Sequence, residues 1–391
     1  MMEIASSSEK KFLFSVIMPI YNSERYLSEA IDSILKQSIG FKENIQIILV
    51  DNGSNDNSVE ICAKYKALFP DNIVYIQNDE NMGTSVGRNI GMQYATGKYI
   101  NFMDSDDRWG LNAFQLSYDF LEENYDDIDC VACRIKQFES TGKFLYLDYK
   151  FKGDRIIDIN ENYADVQLAV VSVFIKNKVA TTIEFCNLLT GEEDSRYITE
   201  VILNKGKYGI ISSAKYYYRR RKDKSNALET SYLDLAYYSS NLLHGMNYLL
   251  RYSVEKYGEI IPYVQFTVMC MIALRLKNNK CEKLSSTLLE EYKKRIIDIL
   301  KQIDDYIILE QRIIFSEYKI FALKLKYGES FKSLLSLNDR SICINEKEVF
   351  PLSKGVDLYV MEIVDGNLRL HGNAGIPFEE FQYRIYFLDS K

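Results

Sequence analysis

Asn101-Phe102-Met103-Asp104-Ser105-Asp106-Asp107 ends an apolar run, Tyr99 to Met103, in three closely packed carboxylates. A run of that character reads as a buried strand. Acid just beyond it then lies at the mouth of a sheet, where carboxylate oxygens can hold a divalent cation together with phosphate groups. The same residues are good turn and N-cap chemistry for a helix beginning near Leu111, which is the commoner use of clustered Asp. The flanking sequence raises the functional reading.

Upstream, strands alternate with helices. Phe14 to Pro19 is a short apolar run, and Ser23 to Lys36 carries apolar residues at helical spacing. Ile45 to Val50 is a second strand ending at Asp51-Asn52-Gly53-Ser54, and Asp56 can cap a helix from about Ser58 to Leu68. Ile73 to Ile76 is a third strand, Gly83 to Ala95 a third helix stopped by Gly97, and Tyr99 to Met103 the fourth strand. This rhythm predicts a mostly parallel sheet covered on both faces, with ligands at the carboxyl ends of the strands, where Asp51 and Asp104 fall. The turn after the first strand, Pro19-Ile20-Tyr21-Asn22, is not the glycine-rich dinucleotide fingerprint, and there is no Gly-Lys-Ser/Thr phosphate loop. Gly83, Gly87 and Gly91, four apart in a helical pattern, suggest close backbone packing or approach to a ligand.

Downstream of a helix at Leu111 to Asn124 the pattern becomes mixed. Asp129 to Phe138 and Lys143 to Tyr149 read as a hairpin around Ser140-Thr141-Gly142, and Ser172 to Lys176 as a further strand. Glu192-Glu193-Asp194 opens a helix. Tyr208 to Ile211 and Ala214 to Tyr218 are extended segments leading into Arg219-Arg220-Arg221-Lys222. Helical stripes then fill Tyr232 to Ser336, and three strands close the chain around Asp365-Gly366. The expected domains are a loose polar tail at 1–11, an α/β domain at 12–228, a helical region at 229–338 and a β segment at 339–391, the last read as the start of a β-sandwich cut short.

Composition bounds the function. With 391 residues and 47% hydrophobic content the chain can form two or three cored domains, and a net charge of -7 argues against a general nucleic-acid binder. Seven cysteines at irregular positions, with no leader-like segment before the first strand, fit a reducing compartment, so the cytoplasm is expected. Cys130-x-x-Cys133 looks like half a zinc site but lies in a core-strand pattern. Ile260 to Leu274 is too short to span a bilayer and is interrupted by Pro262 and Gln265.

Ser15-Val-Ile-Met-Pro-Ile-Tyr-Asn22, Val50-Asp-Asn-Gly-Ser54, Asn81 to Gly91, Asp104-Ser-Asp-Asp107 and Glu193-Asp194 together resemble the family 2 glycosyltransferases of the GT-A fold. The likeness covers Phe14 to Arg221 and is carried by the order of the motifs. More loosely, the later part is similar to bacterial members that build capsular or other surface polysaccharides. The resemblance implies a GT-A, Rossmann-like mixed sheet and an inverting transfer from a UDP-sugar to a hydroxyl of a glycan or lipid-linked saccharide. Peripheral attachment at the inner face of the membrane and a homo-oligomer through the helical region stay open.

Residue by residue, the resemblance implies that Asp51 accepts the uracil N3-H in a pocket lined by Pro19, Tyr21, Asn22 and Gly83. It places Arg88 on the base or the diphosphate, Asp104 and Ser105 beside the donor, and Asp106, with Asp104, on Mn²⁺ or Mg²⁺. Asp194 matches the catalytic base with Glu193 in support, while Glu192 reads as surface. Arg219 and Arg221 lie in a basic run that can close over the donor phosphates; a solvated strand end and an anionic lipid site are the other uses of such a run. The discriminating sugar contacts fall in loops around Tyr149 to Ser172. The competing class is a non-catalytic nucleotide-sugar or glycan-binding module of an assembly complex. A sugar-nucleotide pyrophosphorylase would need a glycine-rich basic first loop, which Pro19 to Ser23 does not supply.

Overall fold

The computed structural model describes residues 12–139, 145–221, 231–278, 284–337, 341–344, 347–351, 357–364, 367–373 and 387–388. β1 (Phe14–Ile20) and β2 (Ile45–Asn52) are buried along their whole length, as continuous apolar runs in a sheet covered on both faces must be. With β3 (Ile73–Asn78) and β4 (Tyr99–Phe102) they form a parallel group in the order β3-β2-β1-β4. Chain order reverses between β1 and β4, so the carboxyl ends of β1, β2 and β4 open a crevice there.

The amphipathic helices α1 (Leu27–Leu35), α3 (Ser58–Leu68), α4 (Gly83–Met92) and α5 (Ala113–Glu123), with the single turn α2 (Phe41–Asn44), accompany these strands. Asp56 lies one residue ahead of Asn57, the N-cap of α3, and its Oδ1 accepts the N–H of Ser58, the first helical residue, at 3.0 Å. A Cβ on Gly87 would stand 3.0 Å from Asn52 Nδ2, and one on Gly91 2.3 Å from Ile17 Cγ2. The helical glycines therefore bring α4 down onto the sheet. Gly83 has φ +84°, which favours glycine for a different reason.

The sheet continues through β8 (Val173–Lys176), β6 (Cys130–Phe138), β9 (Lys207–Arg219) and β5 (Arg108–Trp109), with β7 (Arg155–Asp158) on β9. It is mixed: β4–β8, β8–β6, β9–β5 and β9–β7 are antiparallel and β6–β9 parallel. The expected hairpin is corrected. β6 gives its edges to β8 and β9, while residues 145–150 form turns. Arg134 grips Asp148 through two 2.6 Å bonds and Lys150 is buried on neutral oxygens, so side-chain bonding to distant residues overrides the local β pattern. Residues 140–144 lie outside the described residues. The two extended segments after residue 207 are one strand, with a register shift where Ser212 donates to Asp154 Oδ1.

Cys130 and Cys133 are buried in β6 and burial raises both thiols, that of Cys133 to about 12. That agrees with core packing. α6 (Asn177–Ala180) and α7 (Glu193–Lys205, closed by Gly206 at φ 67°) precede β9.

After β9 come short helical turns at Ser231–Leu233, Leu235–Tyr238 and Asn241–Met246, then helices Asn247–Tyr257, Pro262–Asn278 and Ser286–Leu300. Among the described residues no helix is long and apolar enough to cross a membrane. Two compact units divide the chain, one of 1–272 with 280–295 and one of 273–279 with 296–391. The break thus falls inside a helix and not near 228, because the turns after residue 231 bond to the loop ahead of α7. Within the second unit stand helices Asp305–Leu309 and Ser316–Tyr327 and two three-stranded antiparallel sheets. The sheet of Leu335–Leu337, Ser341–Ile344 and Lys347–Pro351 has strands too short for alternation to show in sequence. In the sheet of Asp357–Val364, Asn367–Asn373 and Phe387–Leu388 the first two strands match expected terminal strands, while residues 382–386 of the third expected strand lie outside the described residues. Residues 1–11 and the turn Asp365-Gly366 lie outside the described residues.

Gly91→Ala is expected to cost about 1–3 kcal/mol through overpacking. Gly97→Ala should cost more, since its Cβ would meet the backbone of Phe14 and Ser15 at 2.5 Å. Denaturant melts measure both. Wild-type stability in the two variants would show that neither α4 nor the turn after it is seated so closely.

Candidate active site

Asp51 ends β2 with no exposed surface. Its Oδ1 accepts from the Ser54 hydroxyl and N–H, while its Oδ2 is a buried acceptor without a protein partner. Such an atom is costly unless a donor from outside arrives. Around it the β1 and β2 turns are tied together. Asn22, at φ 49°, donates its N–H to Ser54 Oγ at 3.0 Å and accepts the Asn55 N–H at 2.8 Å, and Tyr21 is 45% exposed. A Cβ on Gly87 would stand 3.3 Å from the Pro19 Cβ, and the Gly83 carbonyl accepts from Asn52 Nδ2 at 3.2 Å. Pro19, Tyr21, Asn22, Asp51 and Gly83 therefore share one end of the sheet.

The expectation that Arg88 reaches a base or a diphosphate is corrected. Arg88 is 2% exposed and its guanidinium is committed to acids. NH2 donates to Asp104 Oδ1 at 3.2 Å, NH1 donates to Asp194 Oδ1, and Glu193 Oε1 lies 3.6 Å away. The Phe185 ring lies against the guanidinium at 5.1 Å. A buried cation needs close anions. Arg88 finds them by joining the end of β4 to the start of α7, and so the acids of both motifs meet in one place. Asp194 Oδ2 accepts the Val170 N–H at 3.1 Å.

Asp106 and Asp107 have different surroundings. Asp106 Oδ2 accepts from Arg221 Nε at 3.0 Å and NH2 at 2.7 Å. Asp107 is fully buried, and its Oδ1 accepts the Arg219 N–H at 2.7 Å. Ser105 shares a 2.6 Å bond with Ser23, fixing the acidic turn against the β1 turn. Arg219 is 2% exposed and is held by Glu29, Glu139 and the Asp106 carbonyl, so it anchors the strand end and faces no open site. Both arginines touch the acidic turn, but of the two it is Arg221 whose guanidinium lies on the Asp106 carboxylate. Lys222 lies outside the described residues.

Negative charge is in excess here. Burial first, and then the neighbouring acids, raise Asp104 to about 6, Asp107 well above the usual range and Glu193 to about 7. Oxygen donors carrying surplus negative charge fit a hard divalent cation, and Asp104 and Asp106 are the residues that could hold one. Among the described residues no group of three or more His, Cys, Asp or Glu forms a ready-made metal cage, so much of the coordination would fall to oxygens of a bound ligand.

Several residues of the site were hidden in sequence. Glu192 is buried, not surface, because the loop before α7 packs under the Asn241–Met246 turn: Thr190 and Asn241 exchange bonds of 3.0 and 2.8 Å, and a Cβ on Gly245 would stand 3.8 Å from Glu192 Oε2. Val170 acts through its backbone, which no residue type announces. Ser54 was legible in the Asp-Asn-Gly-Ser turn.

Glu193 is raised from 4.5 to about 7, so the native state binds its proton more tightly than the unfolded chain. Its contribution to stability is therefore lost as pH rises through that window. Glu193→Gln should flatten this part of the stability–pH curve and be more stable than wild type at about pH 8. Urea unfolding at both ends of the window tests this. A loss of equal size at each end would count against it.

The sequence profile described as glycosyl transferase family 2 matches residues 15–177. The minor teichoic acid biosynthesis protein GgaB of Bacillus subtilis is 36% identical over 83% of this chain and 36% of that protein. The minor teichoic acid biosynthesis protein GgaA of the same organism is 35% identical over 76% of this chain and 68% of that protein. The chain thus spans little more than a third of the length of the first relative. Among solved structures, S. aureus TarS 1-349 in complex with UDP-GlcNAc aligns over 97% of this chain and 99% of that one, with a TM-score of 0.63 and 19% identity, a likeness of fold.

Proposed function

The chain belongs to glycosyl transferase family 2, and from that premise we propose that it moves a sugar from a UDP-sugar to a hydroxyl group on a cell-surface polymer acceptor of the teichoic-acid kind. The proposed chemistry is a single, inverting displacement assisted by a divalent cation. The observation that carries this reading is that Arg88 gathers Asp104 and Asp194 at one guanidinium, so the acidic turn and the candidate base serve one site.

The donor's uracil is assigned to the β1 and β2 ends. A ring N–H would satisfy the orphaned Asp51 Oδ2, while Ser54 holds the other oxygen, and a carboxylate accepts only, so a ring N–H is what it selects. Pro19, Tyr21, Asn22 and Gly83 border this pocket, and Ser105 fixes the acidic turn beside it. Asp106 and Asp104 would hold Mn²⁺ or Mg²⁺. When bound, that ion supplies charge neutralisation for the departing diphosphate. Arg221, now on Asp106, is the cation placed to pass to diphosphate oxygens. Arg219 keeps its strand end in place.

Asp194 takes the proton from the acceptor hydroxyl as its oxygen attacks the anomeric carbon opposite the leaving group. Arg88 and the Val170 N–H hold one oxygen each of this carboxylate and so fix its orientation. Glu193 supports it through the same arginine. Work at the cytoplasmic side, with the acceptor free or lipid-linked, belongs to the same proposal.

Purified protein assayed with a panel of UDP-sugars, Mn²⁺ and polyol-phosphate or saccharide acceptors tests the assignment. Asp194→Asn is expected to lower transfer by about 10²–10⁴-fold while UDP still raises the melting temperature. Asp106→Ala should lose transfer together with the Mn²⁺-dependent part of that shift. Wild-type turnover in either variant would defeat the roles, and donor binding without transfer to any acceptor would favour a binding module.

A further inference from the structure

The segment from Asp165 to Ser172 leads into β8 without helix or strand, and Val166 to Leu168 and Val170 to Ser172 are buried. Backbone groups inside a core with no ladder to join need partners from side chains. Lys150 supplies them. Its side chain is 1% exposed, and Nζ donates to the Val166 carbonyl at 2.7 Å, to Gln167 Oε1 at 2.6 Å and to the Tyr208 hydroxyl at 3.1 Å. All of these acceptors are neutral oxygens. Asp165, the acid whose charge acts on it most, is ion-paired with Arg155 at 2.8 Å. Burial pushes the ammonium down to about 7. A Met of the same length would fill this space without the desolvation cost. What a lysine adds is a tripod of donors.

From that tripod the bonds lead to the candidate base. The Tyr208 hydroxyl donates to the Asp165 carbonyl, and the Tyr263 hydroxyl accepts the Gln167 N–H at 3.3 Å. Gln167, oriented by Lys150, donates Nε2 to the Ala169 carbonyl at 2.6 Å. Ser195, beside Asp194 in α7, donates to the Leu168 carbonyl at 3.2 Å. The next N–H, that of Val170, is the one on Asp194 Oδ2. Arg88 holds the other carboxylate oxygen. The direction in which Asp194 faces is thus set by one charged partner and one backbone donor.

We propose that Lys150 is a positioning residue for Asp194, holding the backbone from Val166 to Val170 so that the Val170 N–H fixes the second oxygen of that carboxylate. The inference rests on Asp194 being the base and extends that reading to a residue outside the sequence motifs of the donor half. A base displaced by a fraction of an ångström loses rate in the chemical step and leaves donor binding alone. The residues of the β1 and β2 turns around Asp51, namely Asn22, Asp51 and Ser54, make none of the bonds named in this network.

Lys150→Met keeps the stem and removes the donors, and Gln167→Leu breaks the next link. Each is assayed beside Asp194→Asn, with the UDP and Mn²⁺ thermal shift reporting folding and donor binding. Lys150→Met is expected to lower kcat about 10- to 100-fold with the donor KM within about twofold of wild type, and Gln167→Leu to lower kcat in the same sense by less. A folded variant of either kind with wild-type kcat, or with its loss in the donor KM alone, would overturn the positioning role. If Lys150→Met does not fold, Gln167→Leu decides. Normal turnover by Asp194→Asn would instead remove the base assignment, which separates the two failures.

Discussion

A guanidinium withdrawn from water needs anions close by, and the site is arranged around that requirement at Arg88, whose two terminal nitrogens meet acids while Nε has no protein partner. Its acids come from the turn after β4 and from the first turn of α7, Asp194 lying 106 residues away in sequence. Burial alone would weaken the hold of Arg88 on its proton, yet Asp194, Asp104 and Glu193 hold it more firmly than usual. Gly87 and Gly91 make the placement possible. They let α4 approach the sheet closely enough for the residue between them to reach both motifs.

The acids are only partly compensated by their arginines. Asp104, Asp107 and Glu193 all sit above the ordinary carboxylate range because burial and one another's charges oppose ionisation. Acids in that condition are what the proposed cation would meet. The two arginines at the end of β9 divide the work. Arg219 is caged by Glu29, Glu139 and the rings of Tyr26 and Phe138, whereas Arg221 rests on Asp106. Fixing the first holds the second beside the acidic turn.

The surroundings of Asp194 are built differently from those of Asp51. Around Asp51 a regular parallel sheet presents its strand ends, and short Ser and Asn contacts finish the pocket. Near Asp194 an irregular buried segment must be held by side chains, with Lys150, Gln167 and Tyr208 as its supports. Parallel strands give a reusable nucleotide platform, while an irregular wall can vary without disturbing it.

Sequence by itself determined the alternation of strand and helix from Phe14 to Phe102, the acids at the ends of β2 and β4 and the helix opened by Glu193 and Asp194. These follow from period, burial and turn chemistry, which are local. It also identified the glycine-spaced helix, although not which of packing or ligand approach the glycines serve. Tertiary structure alone decided that β6 pairs with β8 and β9, that Arg88 is buried among acids, that Glu192 is buried and that Lys150 bonds the segment ahead of β8. The reason is the same in each case. Whether a charge can be buried depends on partners tens to a hundred residues away, and no local pattern of residue types records where those partners will be.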